Sequence, residues 1–433
     1  MPTAMVSLRP LRHAGFRRLA ASYTLNELGW GFGTVALGLL VFDRTHSALA
    51  TTALWLCTLL VPAVIGPAVT AHLDRAATRR ALPSLYLAEA GIFALLAILA
   101  YRSPWIPLVL ILAAIDGTLA LVGRALTRAA VAATLKPTGE LEPGNALLNV
   151  SFSLCFAAGP ALGGLAVAAG GVSAALWVSA GLFAAMTVSL ATSRSLPPAH
   201  AEVGDGWLTR LRAGLGHVMS NHAVRRVLGS HAAIFICAAM ISPVEVIWAK
   251  EVLEGGDGAY GLVLSAWGAG TLATGLVLSS VWRRASVLAR LPLAAGVMAV
   301  GYVVMASATS LPVGAIGCFI GGMGNGFYYV SVVQAIQDRV DDEFQGRVMG
   351  LLESTTAGCF GIGFLIAAAL TELTSVRVTF AATAGGVIVA TLWMATLLRG
   401  GDPRAAAGGT LAPDAQLVSG GDRDRSPSAT TAT

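Results

Sequence analysis

The chain has 433 residues, of which 55% are hydrophobic and only 12% are charged, and its mean hydropathy is +0.73. Soluble domains carry about 25% charged residues, so this chain cannot cover the surface of ordinary water-soluble domains. The 50 glycines follow no fixed period, which excludes a collagen-like chain. The formal net charge of +5 comes almost wholly from arginine, since Lys136 and Lys250 are the only lysines.

The sequence indicates neither enzymatic chemistry nor a cofactor. A phosphate-binding loop requires Gly-Lys-Ser or Gly-Lys-Thr, whereas Lys136 precedes a proline and Lys250 precedes a glutamate. The seven histidines are dispersed, and the five cysteines are isolated within apolar runs without a Cys-x-x-Cys pair. We therefore expect a protein that is not an enzyme and that holds no metal and no other cofactor.

Apolar runs long enough to cross a bilayer follow one another along the chain. A helix needs roughly 20 apolar residues to span the hydrocarbon, and a chain in lipid must satisfy its own backbone hydrogen bonds. We predict twelve transmembrane helices, at residues 19–42, 48–70, 83–101, 105–126, 145–167, 172–192, 228–249, 260–281, 288–308, 312–334, 348–370 and 377–398.

The basic residues alternate with these runs. If the N-terminus is cytoplasmic, 24 basic residues lie on the cytoplasmic side and four lie outside. This asymmetry is the positive-inside pattern of membrane proteins, so the arginines indicate orientation in a membrane and not binding to nucleic acid. We expect a multi-pass protein of the plasma membrane with both termini in the cytoplasm.

The longest gap between runs divides the chain into six plus six helices. We predict a cytoplasmic N-terminus at 1–18, bundles at 19–192 and 228–398, a linker at 193–227 and a disordered tail at 399–433. Within the linker, Trp207, Leu208 and Leu211 follow helical spacing. That segment is either an amphipathic helix on the membrane surface or a helix packed beneath the two halves.

Both halves carry similar landmarks. Gly66 and Thr70, followed by Arg79 and Arg80, recur 204 residues later as Gly270, Thr274, Arg283 and Arg284. Such copies fit a parallel repeat about an axis along the membrane normal. The predicted fold is therefore an all-α membrane protein of two pseudo-symmetric six-helix bundles.

The fifth predicted span combines small residues, a proline and a polar stripe. Gly159, Pro160, Gly163 and Gly164 stand close together, and small residues at this spacing let helix backbones approach closely. Asn149 lies on a stripe that we expect to face protein or a wet cavity.

These motifs resemble those of the major facilitator superfamily. The span-five sequence Gly-Pro-Ala-Leu-Gly-Gly is similar to the antiporter motif of that superfamily. The openings of spans eight and eleven, 259–262 and 346–348, resemble those of the twelve-helix bacterial drug and siderophore exporters. The likeness covers about residues 10–400.

The loop after span two is also similar to the signature loop of this superfamily. It departs from the usual glycines at Thr70 and Ala77. The resemblance implies a conformational latch between the cytoplasmic ends of the two halves, formed by this loop. Its charged residues are Asp74, Arg75, Arg79 and Arg80.

Five carboxylates fall within the predicted spans, where each charge near a helix centre costs about 2.5–3.5 kcal/mol. They are Glu27, Glu89, Asp116, Glu245 and Glu353. Glu89 and Asp116 lie at similar depth in neighbouring spans, which suits groups that exchange protons. Glu27, with Trp30 on the same face, either faces a central cavity or forms a structural ion pair. Glu245 and Glu353 lie near span ends, where they either serve the cavity or reach solvent.

Two tyrosines of span ten, Tyr328 and Tyr329, either line the cavity or serve as aromatic packing. The resemblance implies a monomeric secondary transporter in the lipid bilayer that uses alternating access, with protons as coupling ion and a small amphipathic or cationic molecule as exported substrate. One alternative is an uptake permease of the same fold. Another is a membrane sensor or assembly partner that does not transport.

Overall fold

The computed structural model describes residues 7–73, 78–102, 105–193, 216, 218–277, 286–340 and 342–399. Within these ranges the regular structure is helical, without a β-strand. Asp74, Arg75, the side chain of Arg79, most of the predicted linker and the C-terminal tail lie outside the described residues.

The first half begins with a 3-10 turn, Arg9–Arg12. Its helices are α1 (Ala14–Thr45), α2 (Ala48–Trp55), α3 (Val61–Leu73), α4 (Thr78–Ala100), α5 (Ile106–Leu135) and α6 (Leu141–Ala191). Helix α2 continues into α3 through a π-helical turn, Leu56–Leu60.

The helices of the second half are α7 (His222–Ala239), α8 (Glu245–Ile247), α9 (Asp257–Val277), α10 (Val287–Ser307), α11 (Leu311–Gln337), α12 (Asp342–Leu373) and α13 (Val376–Arg399). A π-helical turn, Trp248–Val252, follows α8 directly.

The predicted spans at 145–167 and 172–192 both lie within α6. The chain reverses between them at Gly171, whose φ of 77° and ψ of 174° interrupt the helix. A residue with a Cβ is disfavoured in this conformation, so glycine allows the sharp turn. The predicted span at 228–249 is likewise interrupted, because irregular turns separate the end of α7 from Glu245.

Helix α5 runs to Leu135, well beyond the predicted end of span four at 126. The count of cytoplasmic basic residues places Arg124 and Arg128 in the loop after span four. Both instead lie on α5. Both are involved in side-chain contacts inside the first half. These two arginines therefore act within the first half, and the loop after span four does not carry their charge.

The surface of the bundle is suited to lipid. Nine helical segments of the described chain are long and apolar enough to cross a membrane. Large apolar side chains such as Val64, Leu87, Leu165 and Val389 are exposed on their outer faces. Soluble monomers rarely expose so much apolar surface. The chain is an all-α multi-span membrane protein, and its helices are consistent with twelve spans.

The glycine motif of α6 packs this helix on two partners. A Cβ on Gly31 of α1 would lie 2.8 Å from the Cα of Gly159, and a Cβ on Gly163 would lie 3.0 Å from the Cα of Phe32. Gly164 instead faces α9, where its Cβ would lie 3.1 Å from the Cα of Gly261. The motif therefore joins α6 to α1 within the first half and to α9 of the second half.

We predict that Gly261→Val destabilises the protein by separating α6 from α9. A Cβ at this position would meet the carbonyl oxygen of Pro160 and lie 2.8 Å from the Cα of Gly164. Overpacking of this kind costs about 1–3 kcal/mol. The midpoint of thermal unfolding in detergent should fall by several degrees. Gly181→Val is the matched control, because no atom lies within 4 Å of a Cβ there, and equal midpoints for the two variants would contradict the packing described.

Candidate functional site

A cavity of about 400 Å³ lies between the two halves. This is the size of a pocket for a drug-sized molecule, which occupies about 300–1,000 Å³. Most of the wall of this central cavity is apolar or aromatic. Its aromatic residues are Trp30, Trp55, Phe156, Phe235, Trp267, Tyr302, Tyr329 and Phe360.

The aromatic side chains support one another. The rings of Trp30 and Phe156 stack with centroids 6.4 Å apart, and Phe152 stacks on Phe156 at 5.8 Å. On the opposite wall, Trp267 stacks on Tyr302 at 5.7 Å. Faces of tryptophan and tyrosine attract cations as well as flat apolar groups. The wall is therefore suited to amphipathic and aromatic cations.

Among the described residues, one carboxylate, Glu245, belongs to the wall of the central cavity, and no lysine, arginine or histidine of these residues lines it. Glu245 is 6% exposed and begins the short helix α8. Among the described residues, none forms an ion pair or a hydrogen bond with it, and its electrostatic neighbours include the phenols of Tyr260 and Tyr302. A buried carboxylate without a partner is costly, so a cation in the cavity would be stabilised beside it.

Asp116 occupies a side chamber of about 30 Å³ next to the central cavity. Trp30, Thr34 and Trp55 line both spaces and form the partition between them. The chamber is large enough for a water molecule, which needs roughly 10–15 Å³ of such space. Asp116 is thus close to the cavity but separated from it by two indole rings.

Further charges lie behind this chamber, between α1, α4 and α5. Glu27 pairs with Arg124 at 3.5 Å, and neither Glu89 oxygen has a hydrogen-bond partner among the described residues. Glu89 interacts electrostatically with both Asp116 and Arg124. Arg128 acts on Glu27 as well. This acidic cluster, Glu27, Glu89 and Asp116, holds three carboxyls, against which Arg124 and Arg128 supply two positive charges.

The structure separates the remaining candidates. Tyr329 lines the central cavity and donates a hydrogen bond of 2.7 Å to Glu353 Oε1. Tyr328 is fully buried against His231 and Phe235 and does not line the cavity. Asn149 is exposed on α6, and Glu27 points toward Arg124 within the first half.

Contacts between the halves gather at the end of the bundle away from the termini. Lys250 Nζ donates to Asp43 Oδ1 at 2.6 Å, and Ser47 donates to Glu372 Oε1 at 3.4 Å. The close contact of α6 with α9 extends from this far end to the middle, where Gly268 meets Ala157. The far end is therefore closed.

Toward the termini the described faces of the two halves are open. Asn149 on α6 and Glu353 on α12 are exposed, and the cavity residue Tyr329 is 39% exposed. Polar side chains such as these do not face lipid. The central cavity therefore communicates with the side of the membrane on which the termini lie.

Comparison with known proteins assigns the fold to a family. A family model described as transmembrane secretion effector, within the major facilitator superfamily, matches residues 5–414. The chain belongs to this family. Membership of this family makes it a membrane transporter and not an enzyme, as expected from the sequence.

Relatives of this transporter include efflux pumps. The multidrug efflux pump Tap of Mycobacterium tuberculosis is 26% identical over 264 residues, which cover 57% of this chain and 59% of Tap, and Tap of Mycobacterium bovis matches equally. The match thus spans less than two thirds of these curated relatives.

Solved transporters share the fold. The nucleoside transporter NupG superposes with a TM-score of 0.73 at 14% identity, covering 88% of this chain and 99% of that one. The peptide transporter PepTSo gives 0.70 at 11% identity, covering 89% and 98%. At these identities the likeness concerns the fold alone.

Several residues of the transporter's site were not among the sequence candidates. Trp55, Trp267, Phe235 and Phe360 stand on four different helices, and apolar aromatic residues in a span give no sign of which face they occupy. Thr356 was missed as well, because the sequence does not reveal which face of its helix lines the cavity. Arg124 could have been found from the sequence, because a buried acid such as Glu27 requires a positively charged partner at the same depth of the bundle.

We predict that charge reversal at the far end shifts the transporter toward the alternative state. Asp43→Lys places two cations side by side where the ion pair with Lys250 now stands, whereas Asp43→Lys with Lys250→Asp restores an opposite-charge pair. An exposed pair contributes about 0.2–1 kcal/mol, enough to change the populations up to about fivefold. Nitroxide labels at Tyr101 and Thr374, measured by electron double resonance, should show longer distances in the single variant only. The same distances in all three proteins would contradict a gate at this end.

Proposed function

We propose that this transporter exports small amphipathic cations in exchange for protons. The observation that carries the proposal is the central cavity itself, an aromatic space whose one acidic residue, Glu245, has no cationic partner in the described chain. A bound cation would supply the missing charge and stack on the faces of Trp30 and Trp267. A neutral molecule would gain only the apolar contacts.

Three observations support export as the direction of transport. The arginine distribution favours cytoplasmic termini in a plasma membrane, and the cavity opens toward the termini in this conformation. The motif at Gly159, Pro160, Gly163 and Gly164 resembles that of antiporters and packs where the two halves meet. In addition, the relative Tap is described as a multidrug efflux pump.

Protons are proposed as the coupling ion because the acidic cluster has more carboxyls than nearby cations. Two arginines can neutralise two of the three carboxyls, so the third is stabilised by holding a proton. Asp116 is the member that adjoins the cavity, through the chamber beside Trp30. We therefore propose that Asp116 exchanges its proton with water in the cavity.

The proposed cycle treats residues 19–192 and 228–398 as two halves of a monomer that rock about the cavity. The pair Lys250 with Asp43 closes the far side in the conformation seen here. In the opposite conformation, Asp74 and Arg75 of the signature-like loop would latch the side of the termini, in line with the resemblance.

We predict that Glu245→Gln abolishes export of ethidium, a permanently charged aromatic cation. The amide keeps the shape of the side chain but removes its charge, so the cation loses its counter-ion. Accumulation of ethidium should rise to the level of cells without the transporter. Glu251→Gln is the matched control, because Glu251 lies in the adjacent turn, is exposed and does not line the cavity. Undiminished export by the Glu245→Gln variant would overturn the proposed function.

We predict that Asp116→Asn abolishes the coupling of transport to protons but leaves the binding of ethidium intact. In proteoliposomes, the variant should lose accumulation of ethidium driven by a pH gradient, because the amide cannot carry a proton. It should retain the exchange of labelled for unlabelled ethidium, which needs no net proton movement. Accumulation that still follows the pH gradient would assign coupling to another group, while loss of both activities would indicate a binding defect instead.

A further inference from the structure

A buried histidine stands directly behind the wall of the central cavity. His231 on α7 is 0% exposed, and its ring stacks on Phe235 at 4.3 Å and on Tyr328 at 5.9 Å between centroids. Its Nε2 lies 2.9 Å from the hydroxyl oxygen of Thr356, which belongs to the cavity wall. Its Nδ1 has no hydrogen-bond partner among the described residues.

The contacts of Thr356 decide which atom carries the hydrogen. The threonine hydroxyl lies 2.8 Å from the carbonyl oxygen of Leu352, to which it donates its single proton. The hydrogen bond with His231 must then run from Nε2–H to the threonine oxygen. This arrangement makes two hydrogen bonds and leaves only a lone pair on Nδ1 unused. The opposite tautomer would make one bond and bury an unpaired N–H, which is the rarer and costlier outcome.

Toward a further molecule the hydroxyl of Thr356 can therefore act only as an acceptor. Its proton is committed to Leu352 and one lone pair to His231, so the second lone pair is the hydrogen-bonding capacity that this residue of the cavity wall has left. Glu245, also supplied by the second half, has no donor when its carboxylate is charged, so it too offers only acceptors in that state. Two acceptors in a wall to which the described chain contributes no lysine, arginine or histidine, with His231 lying behind it as a donor to Thr356, form a site for a hydrogen-bond donor that carries positive charge.

We infer that the transporter selects cations that carry at least one N–H, and that Thr356 is the residue that recognises this hydrogen. His231 is a positioning residue that holds the threonine oxygen as an acceptor. This inference rests on the proposed function, since it concerns the substrate of the same cavity. Protonated primary, secondary and tertiary amines would be preferred to quaternary ammonium ions of the same shape.

The expected selectivity follows from the cost of an unmade bond. Hydrogen bonds to charged groups are stronger than those between neutral groups, and a site built to hydrogen-bond its ligand discriminates strongly against an analogue without the donor. We expect at least about tenfold tighter binding of the N–H cation, which corresponds to about 1.4 kcal/mol.

The test uses two ligands on one naphthyl-alkyl scaffold, one ending in dimethylammonium with an N–H and the other in trimethylammonium without it. Quenching of the cavity tryptophans gives the dissociation constant of each ligand for the purified full-length transporter. In the wild type, the dissociation constant of the trimethylammonium ligand divided by that of the dimethylammonium ligand should be about ten or more. Thr356→Val, which keeps the shape of the side chain, should bring this ratio to near one, and Thr356→Ser should retain the wild-type ratio.

The positioning role has its own readout. His231→Phe keeps the stacked ring but removes the donor, so the ratio should fall between those of the wild type and Thr356→Val. His231→Gln, which returns an N–H donor, should restore selectivity. An unchanged ratio in Thr356→Val overturns the inference about N–H recognition, and an unchanged ratio in His231→Phe overturns the role of His231.

Failure of this inference differs from failure of the proposed function. If Glu245→Gln weakens both ligands equally while Thr356→Val leaves their ratio unchanged, the cavity binds cations without recognising the N–H. If Glu245→Gln leaves both dissociation constants unchanged, the proposal of a cation site is itself contradicted.

Discussion

Within the described part of the chain, the central cavity is an apolar space that holds a carboxylate and no basic side chain, and the electrostatics of the transporter follow from this arrangement. Charge in a dry protein interior must be neutralised by a partner, a proton or water. Glu245 has no partner among the described residues, so its state depends on what occupies the central cavity. A cationic substrate satisfies this requirement, and the surrounding indole and phenol rings add the contacts that an amphipathic molecule needs.

The two halves divide the electrostatic tasks. The second half supplies Glu245 and Thr356, which line the cavity and which we propose as the residues that bind the substrate. The first half keeps its acidic cluster away from the cavity, where Arg124 and Arg128 compensate it only in part. The partition of Trp30, Thr34 and Trp55 is the point at which the cavity and the chamber of Asp116 adjoin. In the proposed cycle, a substrate stacked on Trp30 would lie next to this chamber, and its binding would thereby be linked to the movement of the proton.

Much of the fold could be predicted because the bilayer imposes it locally. Apolar runs of about 20 residues define the spans, and the small residues Gly159, Gly163 and Gly164 indicated close helix packing. The partners of these glycines could not be predicted, since α1 and α9 are far away in sequence. Buried carboxylates were evident from their cost alone. Trp267, Phe360 and Thr356 were not, because the composition of a span does not reveal which face meets the other half.

The structure of the transporter with bound ethidium, determined by electron cryo-microscopy, would show whether the central cavity binds a cation. We expect density for the cation between the rings of Trp30 and Trp267, with a nitrogen within about 4 Å of the Glu245 carboxylate, the usual limit for an ion pair. Density confined to the mouth beside Tyr329 and Glu353, with the central cavity unfilled, would contradict this expectation.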